Sequence, residues 1–193
     1  MANPTGAFGL RPIGRNGGPY NGPLHRVYIP SGTTTAAWIG DVVQLAGSAD
    51  GSGYATVGPI TAATGIPYGV ITGFDALPSD LSKQYNPAAQ AGGRYAKVVL
   101  CDEAVFLVKA DGVMAAADVG GNCDLDVDNG GSNVTGMSGM VLDASNVTTT
   151  VGDMLQIQGF EDSPNNDLTL TNANVIVKFN DAATHPDRLG LAT

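Results

Sequence analysis

Short runs of apolar and β-branched residues recur along the whole chain, and clusters of turn-forming residues separate them. The chain holds 27 glycines and 11 prolines, which supply these frequent breaks. Within several runs apolar and polar positions alternate with the period of a half-buried β-strand. No apolar pattern with helical spacing is long enough for a substantial helix. The pattern predicts an all-β protein: a single antiparallel β-barrel, β-tulip-like or sandwich domain.

The runs also predict where the main elements and connections lie. Residues 95–100 and 104–110 are separated by three residues only, which predicts a β-hairpin. One short helical turn is predicted at 115–118, and one or two further helical turns within 76–85. The predicted strands are 24–29, 38–45 (with a turn at 40–41), 54–60, 68–74, 95–100, 104–110, 123–128, 139–142, 154–160 and 175–179.

The first 23 residues differ in character from the rest. Glycine and proline interrupt every potential helical turn there, yet Phe8, Leu10 and Ile13 would gain by burial. Such a segment becomes ordered against a surface, so residues 1–23 are predicted to form an extended arm. Residues 24–180 then form the β-rich body and 181–193 a C-terminal tail. We expect a variant that lacks the arm to keep a folded body and to lose assembly.

Charge is distributed unevenly between the two ends. Residues 1–40 contain Arg11, Arg15 and Arg26 and no acid, a formal charge of +3, whereas the remaining 153 residues carry −12. This asymmetry favours docking of the arm onto a neighbouring acidic body. The alternative is that the arm lies on its own body. Only 14% of residues are charged, which indicates that other subunits cover part of the surface.

The sequence offers little for catalysis. Its two histidines, His25 and His185, lie in the first predicted strand and in the tail, and neither accompanies a nucleophile motif. Cys101 and Cys123 fall in or beside strand-like runs and are predicted to be buried free thiols. Zinc spacing, phosphate-binding loops and an apolar run long enough to span a bilayer are missing from the sequence. We therefore expect no enzyme, no cofactor and no membrane partner.

An Asp-x-Asp-x-Asp triplet is the strongest candidate for ion binding. Asp124, Asp126 and Asp128 share the spacing that opens a calcium-binding EF-hand loop, but the later positions of that pattern are not met. Strand alternation explains the triplet more simply, with the three carboxylates on the solvent side and Leu125 and Val127 in the core. Both interpretations, a plain strand and a cation site of another kind, stay open here.

Several motifs resemble small structural proteins of tailed bacteriophages. GAFGLRP at residues 6–12 carries the likeness most clearly, together with IGDVVQL at 39–45 and VITGF at 70–74. The run 97–110 and the following ADVG at 117–120 fit the same pattern, which becomes sparse after residue 130. The chain thus resembles capsid decoration proteins, also called cement proteins.

The resemblance implies a structural role in the virion. Such proteins bind the exterior of a capsid as β-rich bodies, often as homotrimers, and bridge subunits of the major capsid protein. On this view the chain is made in the host cytoplasm, has no catalytic residues and does not bind nucleic acid directly. Its net charge of −9 also disfavours a nucleic-acid surface. Composition and resemblance together identify Phe8, Leu10, Arg11 and Arg15 as the expected contact residues of the arm.

Two alternative functions are left. The first is another virion role, such as a head fibre, tail-tube or adaptor protein, which shares the β-rich fold and the absence of chemistry. The second is a β module that binds a small ligand or glycan. That function needs a pocket of converging polar and aromatic groups, whereas aromatic residues make up 6% of this chain and are scattered.

Overall fold

A computed structural model describes residues 2–15, 18–47, 49–128, 130–149 and 152–184, and it is almost entirely β-structure. This confirms the predicted fold class. The strands of the described residues are β1 (Arg11–Arg15), β2 (Gly18–Pro19), β3 (His25–Ile29), β4 (Val42–Leu45), β5 (Val57–Pro59), β6 (Gly69–Phe74), β7 (Arg94–Leu100), β8 (Val105–Lys109), β9 (Asn122–Cys123), β10 (Leu125–Asp126), β11 (Val141–Leu142), β12 (Leu155–Phe160) and β13 (Asn174–Phe179).

The strands form two main antiparallel sheets. The larger has the order β2-β1-β8-β13-β12-β9, the smaller has the order β3-β7-β6-β4-β5, and β10 and β11 pair separately. The smaller sheet curls until its edge strands meet at an isolated bridge between Tyr28 and Thr56. No ladder joins β3 to β5, so the sheets described here remain open and do not form a closed barrel.

Strands β4 and β6 of the smaller sheet have apolar side chains buried on both faces of the sheet. Because side chains alternate along a strand, adjacent apolar residues enter different cores. Val42 and Val70 belong to the core shared with the larger sheet, whereas Val43 and Ile71 belong to a second core on the other face. This arrangement explains the consecutive apolar residues in β4 and β6, which a half-exposed strand would not contain.

The predicted hairpin over 95–110 is wrong. Strand β7 pairs with β3 and β6, whereas β8 pairs with β1 and β13, so the two strands belong to different sheets. The four residues between them, 101–104, form a corner in which Cys101 N–H donates to the Tyr68 carbonyl at 3.2 Å. A short connection permits pairing but does not impose it, and here each strand already has partners on both sides.

Helical structure is limited to two 3₁₀ turns in the described chain. The turn predicted near 115–118 is confirmed as Ala116–Asp118, and a second at Ala144–Asn146 was not predicted. Residues 76–85 form turns and no helix. Pro78 disfavours a helical conformation for the residue before it, and the buried Arg94 side chain donates to three carbonyls of the loop over 75–85. Nowhere among the described residues is there a helix long and apolar enough to cross a membrane.

Candidate interaction surface

The N-terminal segment lies on its own body in the single chain. Strand β1 pairs with β8, with Arg11 opposite Leu107, and is an integral part of the larger sheet. Leu10 is 2% exposed and belongs to the main core. Of the two arrangements that the sequence leaves open, this is the one in which the arm covers its own body. The prediction that Leu10 contacts a neighbouring subunit is therefore wrong for this arrangement, because its side chain is buried. Phe8 is partly exposed and Arg11 is exposed, so both remain accessible to a partner.

Asn3 anchors the start of the segment, a role that sequence reasoning missed. Its side-chain amide donates to the carbonyls of Asp167 and Thr171 at 2.8 and 3.0 Å, and its carbonyl oxygen accepts from Asp167 N–H at 2.8 Å. Asn3 is 5% exposed although it lies close to the N-terminus. A buried amide must satisfy its hydrogen bonds, so these contacts fix the segment against the loop before β13.

Two glycines allow the segment to pass close to the body. Gly9 has a φ of 66°, and a Cβ there would lie 2.4 Å from the Gly40 carbonyl oxygen. Gly40 has a φ of 96°, and a Cβ there would lie 2.3 Å from the Phe8 carbonyl oxygen. Only glycine fits this backbone contact with ease. The contact brings Leu10 N–H within 2.9 Å of the Gly40 carbonyl oxygen, which it donates to.

Two cations flank the Phe8 ring. The Arg11 guanidinium lies 4.5 Å from the ring centroid and the Lys109 ammonium 5.8 Å from it, distances that favour cation–π attraction. Lys109 is 3% exposed and donates to the carbonyls of Pro4 and Asn172. Burial lowers the pKa of Lys109, and the nearby Glu161 carboxylate partly offsets this effect. The acidic protein thus has a local positive patch at its N-terminal segment.

The three N-terminal arginines have different surroundings. Arg26 is engaged within the body, with Nη2 2.6 Å from the Asp75 carboxylate and its guanidinium 4.0 Å from the Tyr95 ring centroid. No carboxylate of the described residues forms an ion pair with Arg11 or Arg15. Two of the three predicted positive charges, those of Arg11 and Arg15 on β1, therefore lack a carboxylate partner within the described chain.

An apolar hollow of about 230 Å³ opens beside this patch. Phe8, Leu10 and Arg11 from the N-terminal segment form one side, and Ile39, Ile71, Thr72, Pro12 and Met137 complete it. It is smaller than the roughly 300–1,000 Å³ of a typical small-molecule site. Its volume is enough for one apolar side chain, and Arg11 is the one charged residue among those that line it. We call the positive patch and this hollow together the N-terminal surface.

A buried carboxylate lies behind the N-terminal surface. Asp41 is 2% exposed, and its Oδ2 accepts a 2.7 Å hydrogen bond from Trp38 N–H. Burial raises the pKa of Asp41 to about 6, although hydrogen bonds from the Ser138 hydroxyl and from Trp38 N–H act in the opposite direction. The Asp41 carbonyl also accepts from Ile71 N–H at 2.9 Å. The burial of Asp41 was not predicted, because residues 40–41 were assigned to a turn. The sequence signal for it was the position of this single acid within the apolar run WIGDVV at 38–43.

The cysteines and His25 are not arranged for nucleophilic catalysis. Cys101 and Cys123 are buried free thiols, as predicted. Burial raises the pKa of the Cys101 thiol strongly and that of the Cys123 thiol to about 12, which disfavours the reactive thiolate. His25 Nε2 lies 3.6 Å from a Glu103 carboxylate oxygen on the corner between the sheets. His185 and most of the predicted tail 181–193 lie outside the described residues.

The Asp-x-Asp-x-Asp triplet follows the simple strand alternation. Leu125 is 2% exposed and Val127 packs against the same core, while the neighbouring aspartates are partly or fully exposed. Asp124 accepts from the Asn146 amide at 3.0 Å and from Met154 N–H at 3.1 Å, so its carboxylate ties together local loops. Within the described part of the chain, no group of three or more potential metal-binding side chains gathers.

Fold and surface together define an all-β protein of two open antiparallel sheets with an N-terminal strand built into the larger one. Comparison of the chain with protein-family models, with curated proteins and with solved structures finds no significant match. The resemblance to capsid decoration proteins therefore stays a prediction from sequence.

Proposed function

We propose that this protein is a structural component of a phage virion that binds the capsid exterior and bridges subunits of the major capsid protein. It would act without catalysis or a cofactor, as a homo-oligomer in contact with protein and not with nucleic acid. The motifs at 6–12, 39–45 and 70–74 support this proposal. The buried core residues and extensive strand pairing of the described chain also suit a load-bearing role.

The observation that carries the proposal is a strand, β1, that has two arginines without ion pairs to described carboxylates, one of which, Arg11, lines an apolar hollow. Arg11 and Arg15 lie on β1, within the arm whose contact residues were predicted to include them, and neither forms an ion pair with a described carboxylate. A positive patch beside an apolar hollow matches the usual composition of a protein contact, in which arginine is enriched. Because β1 is already paired in the larger sheet, its backbone does not have to become ordered on binding.

Charge reversal on β1 tests the proposal. We expect Arg11→Glu with Arg15→Glu to weaken binding to capsids assembled without this protein by roughly tenfold or more. In the proposed contact both arginines face acidic groups of the partner, which would repel the two introduced glutamates. The measurement is the bound fraction after sedimentation with capsids at several salt concentrations.

The matched control reverses two exposed lysines on other strands, Lys97→Glu and Lys178→Glu. It changes the net charge equally and is expected to leave capsid binding near the wild-type level. Equal loss in both variants would show a general charge effect and remove the specific role of β1. Wild-type protein that fails to bind capsids would overturn the proposed function itself.

A further inference from the structure

An amine, an amide and a carboxylate lie in one row across adjacent strands of the larger sheet. Lys109 of β8 is the direct partner of Asn174 of β13 in the strand register. On the other side of Asn174 lies Glu161, which follows β12 and whose N–H donates to the Asn174 carbonyl at 3.2 Å. Directly opposed residues of an antiparallel pair share one face of the sheet, with their Cβ atoms roughly 5 Å apart. Asn174 is therefore flanked by an amine and by a carboxylate.

The Glu161 carboxylate orients the Asn174 amide. Asn174 Nδ2 donates to Glu161 Oε2 at 2.6 Å. An ionised carboxylate only accepts hydrogen bonds, so the amide nitrogen is held on the Glu161 side. Asn174 Oδ1 is buried and has no hydrogen-bond partner among the described residues. An unpartnered buried carbonyl costs free energy, and it leaves the part of the amide that faces away from Glu161 without a competing contact.

Lys109 has the environment of a nucleophilic amine. Of the four lysines of the chain, all within the described residues, it alone is buried, with an exposure of 3%. Its Nζ donates to the carbonyls of Pro4 and Asn172 and forms no ion pair with a described carboxylate. Burial lowers the pKa of Lys109, which increases the share of the neutral amine, the form that attacks a carbonyl carbon.

The Lys109 side chain is long enough to reach the Asn174 amide carbon. Its flexible four-carbon stem spans the roughly 5 Å between the Cβ atoms of the two opposed residues. Nζ lies 3.3 Å from the carbonyl oxygen of Asn172, which is only two residues from Asn174 on the same chain segment. Rotation about the side-chain bonds of Lys109 therefore brings Nζ to the amide. The Phe8 ring, with its centroid 5.8 Å from Nζ, covers this site from outside.

We propose that Lys109 and Asn174 form an intramolecular isopeptide bond, with Glu161 as the acid–base group. The neutral Nζ of Lys109 attacks Asn174 Cγ, so that the Nζ–Cγ bond forms and the Cγ–Nδ2 bond breaks. Glu161 takes the proton that Nζ loses and passes it to Nδ2, which leaves as ammonia. The reaction involves no change in oxidation state and no co-reactant, and Glu161 ends in the ionisation state in which it began.

The bond would join the two central strands of the larger sheet, β8 and β13. A covalent link between residues far apart in sequence restricts the unfolded chain and so favours the folded one. This property suits a protein that bears load, but it needs only the single chain. The inference therefore does not depend on the proposed capsid contact.

Mass spectrometry of the denatured full-length chain tests the bond. We expect the wild-type protein to be lighter than its sequence requires by one ammonia molecule, and digestion to yield the peptides of Lys109 and Asn174 as one linked species. Lys109→Arg and Asn174→Ala each remove a reactant, so both variants should keep their full mass. Glu161→Gln keeps both reactants, and we expect its link to form more slowly by roughly a hundredfold or more, measured as mass against time after purification.

Lys178→Arg is the matched control, because this exposed lysine also lies on β13 and its replacement should leave the loss of ammonia unchanged. Wild-type protein that keeps its full mass after prolonged incubation would overturn the inference, whether or not the variants fold. A loss of ammonia that persists in Lys109→Arg would show a different reaction and overturn it as well. Equal rates in Glu161→Gln and the wild type would remove the role given to Glu161. Capsid binding is measured separately, so none of these results decides the proposed function.

Discussion

Leu10→Ala is expected to destabilise the whole protein by about 2–5 kcal/mol, the usual cost of emptying a buried leucine site. Leu10 is 2% exposed and shares the main core with residues of both sheets. The segment that holds it is fixed by Asn3, by the backbone contact at Gly9 and by the β1–β8 ladder. The site therefore has little freedom to collapse around the missing methyl groups.

Thermal unfolding provides the measurement. For a chain of this size the expected loss corresponds to a fall in Tm of roughly 5–15 °C. Leu81→Ala is the matched control, because the same truncation at a leucine that is 79% exposed should change stability by no more than about 0.5 kcal/mol. If the two variants had the same Tm, the first fifteen residues would not be part of the cooperative fold.

The same packing changes the expectation for deletion of residues 1–23. The sequence predicted a folded body without them, whereas the structure shows that deletion removes a core leucine, uncovers the edge of β8 and takes away the Pro4 carbonyl that accepts from the buried Lys109 ammonium. Loss of assembly in such a deletion would therefore not identify a contact surface. Substitution of the exposed Arg11 and the partly exposed Arg15 is the sharper test.

The strands of the body could be predicted because their signals are local. Alternation and β-branched runs locate β3, β6, β7, β8, β12 and β13 to within one or two residues of their observed bounds. Val43 and Leu45 share the predicted face, since Val43 lies in the second core and Leu45 packs against it. Period-2 alternation needs no knowledge of partners.

The pairing of the strands could not be predicted in the same way. The corner at 101–103 looks like a hairpin turn, yet β7 and β8 separate into different sheets because both find partners far away in sequence. For β1 the local signal is weak, since Pro12 and Gly14 lower strand propensity, and its order comes from β8 and from Asn3. The N-terminal surface depends on these long-range contacts, so the sequence identified only Phe8, Leu10 and Arg11 among its residues and none of its geometry.

Asp41 is expected to make stability depend on pH in the direction opposite to that of a typical salt-bridged carboxylate. Its folded pKa of about 6 is higher than the value of 3.8 expected in the unfolded chain, because burial disfavours the charged form. Protonation therefore favours the folded state. The stabilising contribution is complete below about pH 4 and is lost as the pH rises through about 6.

Asp41→Asn tests this contribution by keeping the shape of the side chain and removing the charge. Its amide oxygen can still accept from Trp38 N–H, so we expect the variant to match the wild type near pH 4 and to exceed it at pH 8 by up to about 3 kcal/mol. Denaturant unfolding between pH 4 and pH 8 measures the free energy of unfolding of the variant and of the wild type. Their difference at each pH cancels the contributions of the other titrating groups, which the two proteins share. Asp102→Asn, at an exposed position, is the control for the loss of one carboxylate. Parallel curves for Asp41→Asn and the wild type would show that Asp41 titrates alike in the folded and unfolded chains, and its burial would then carry no electrostatic cost.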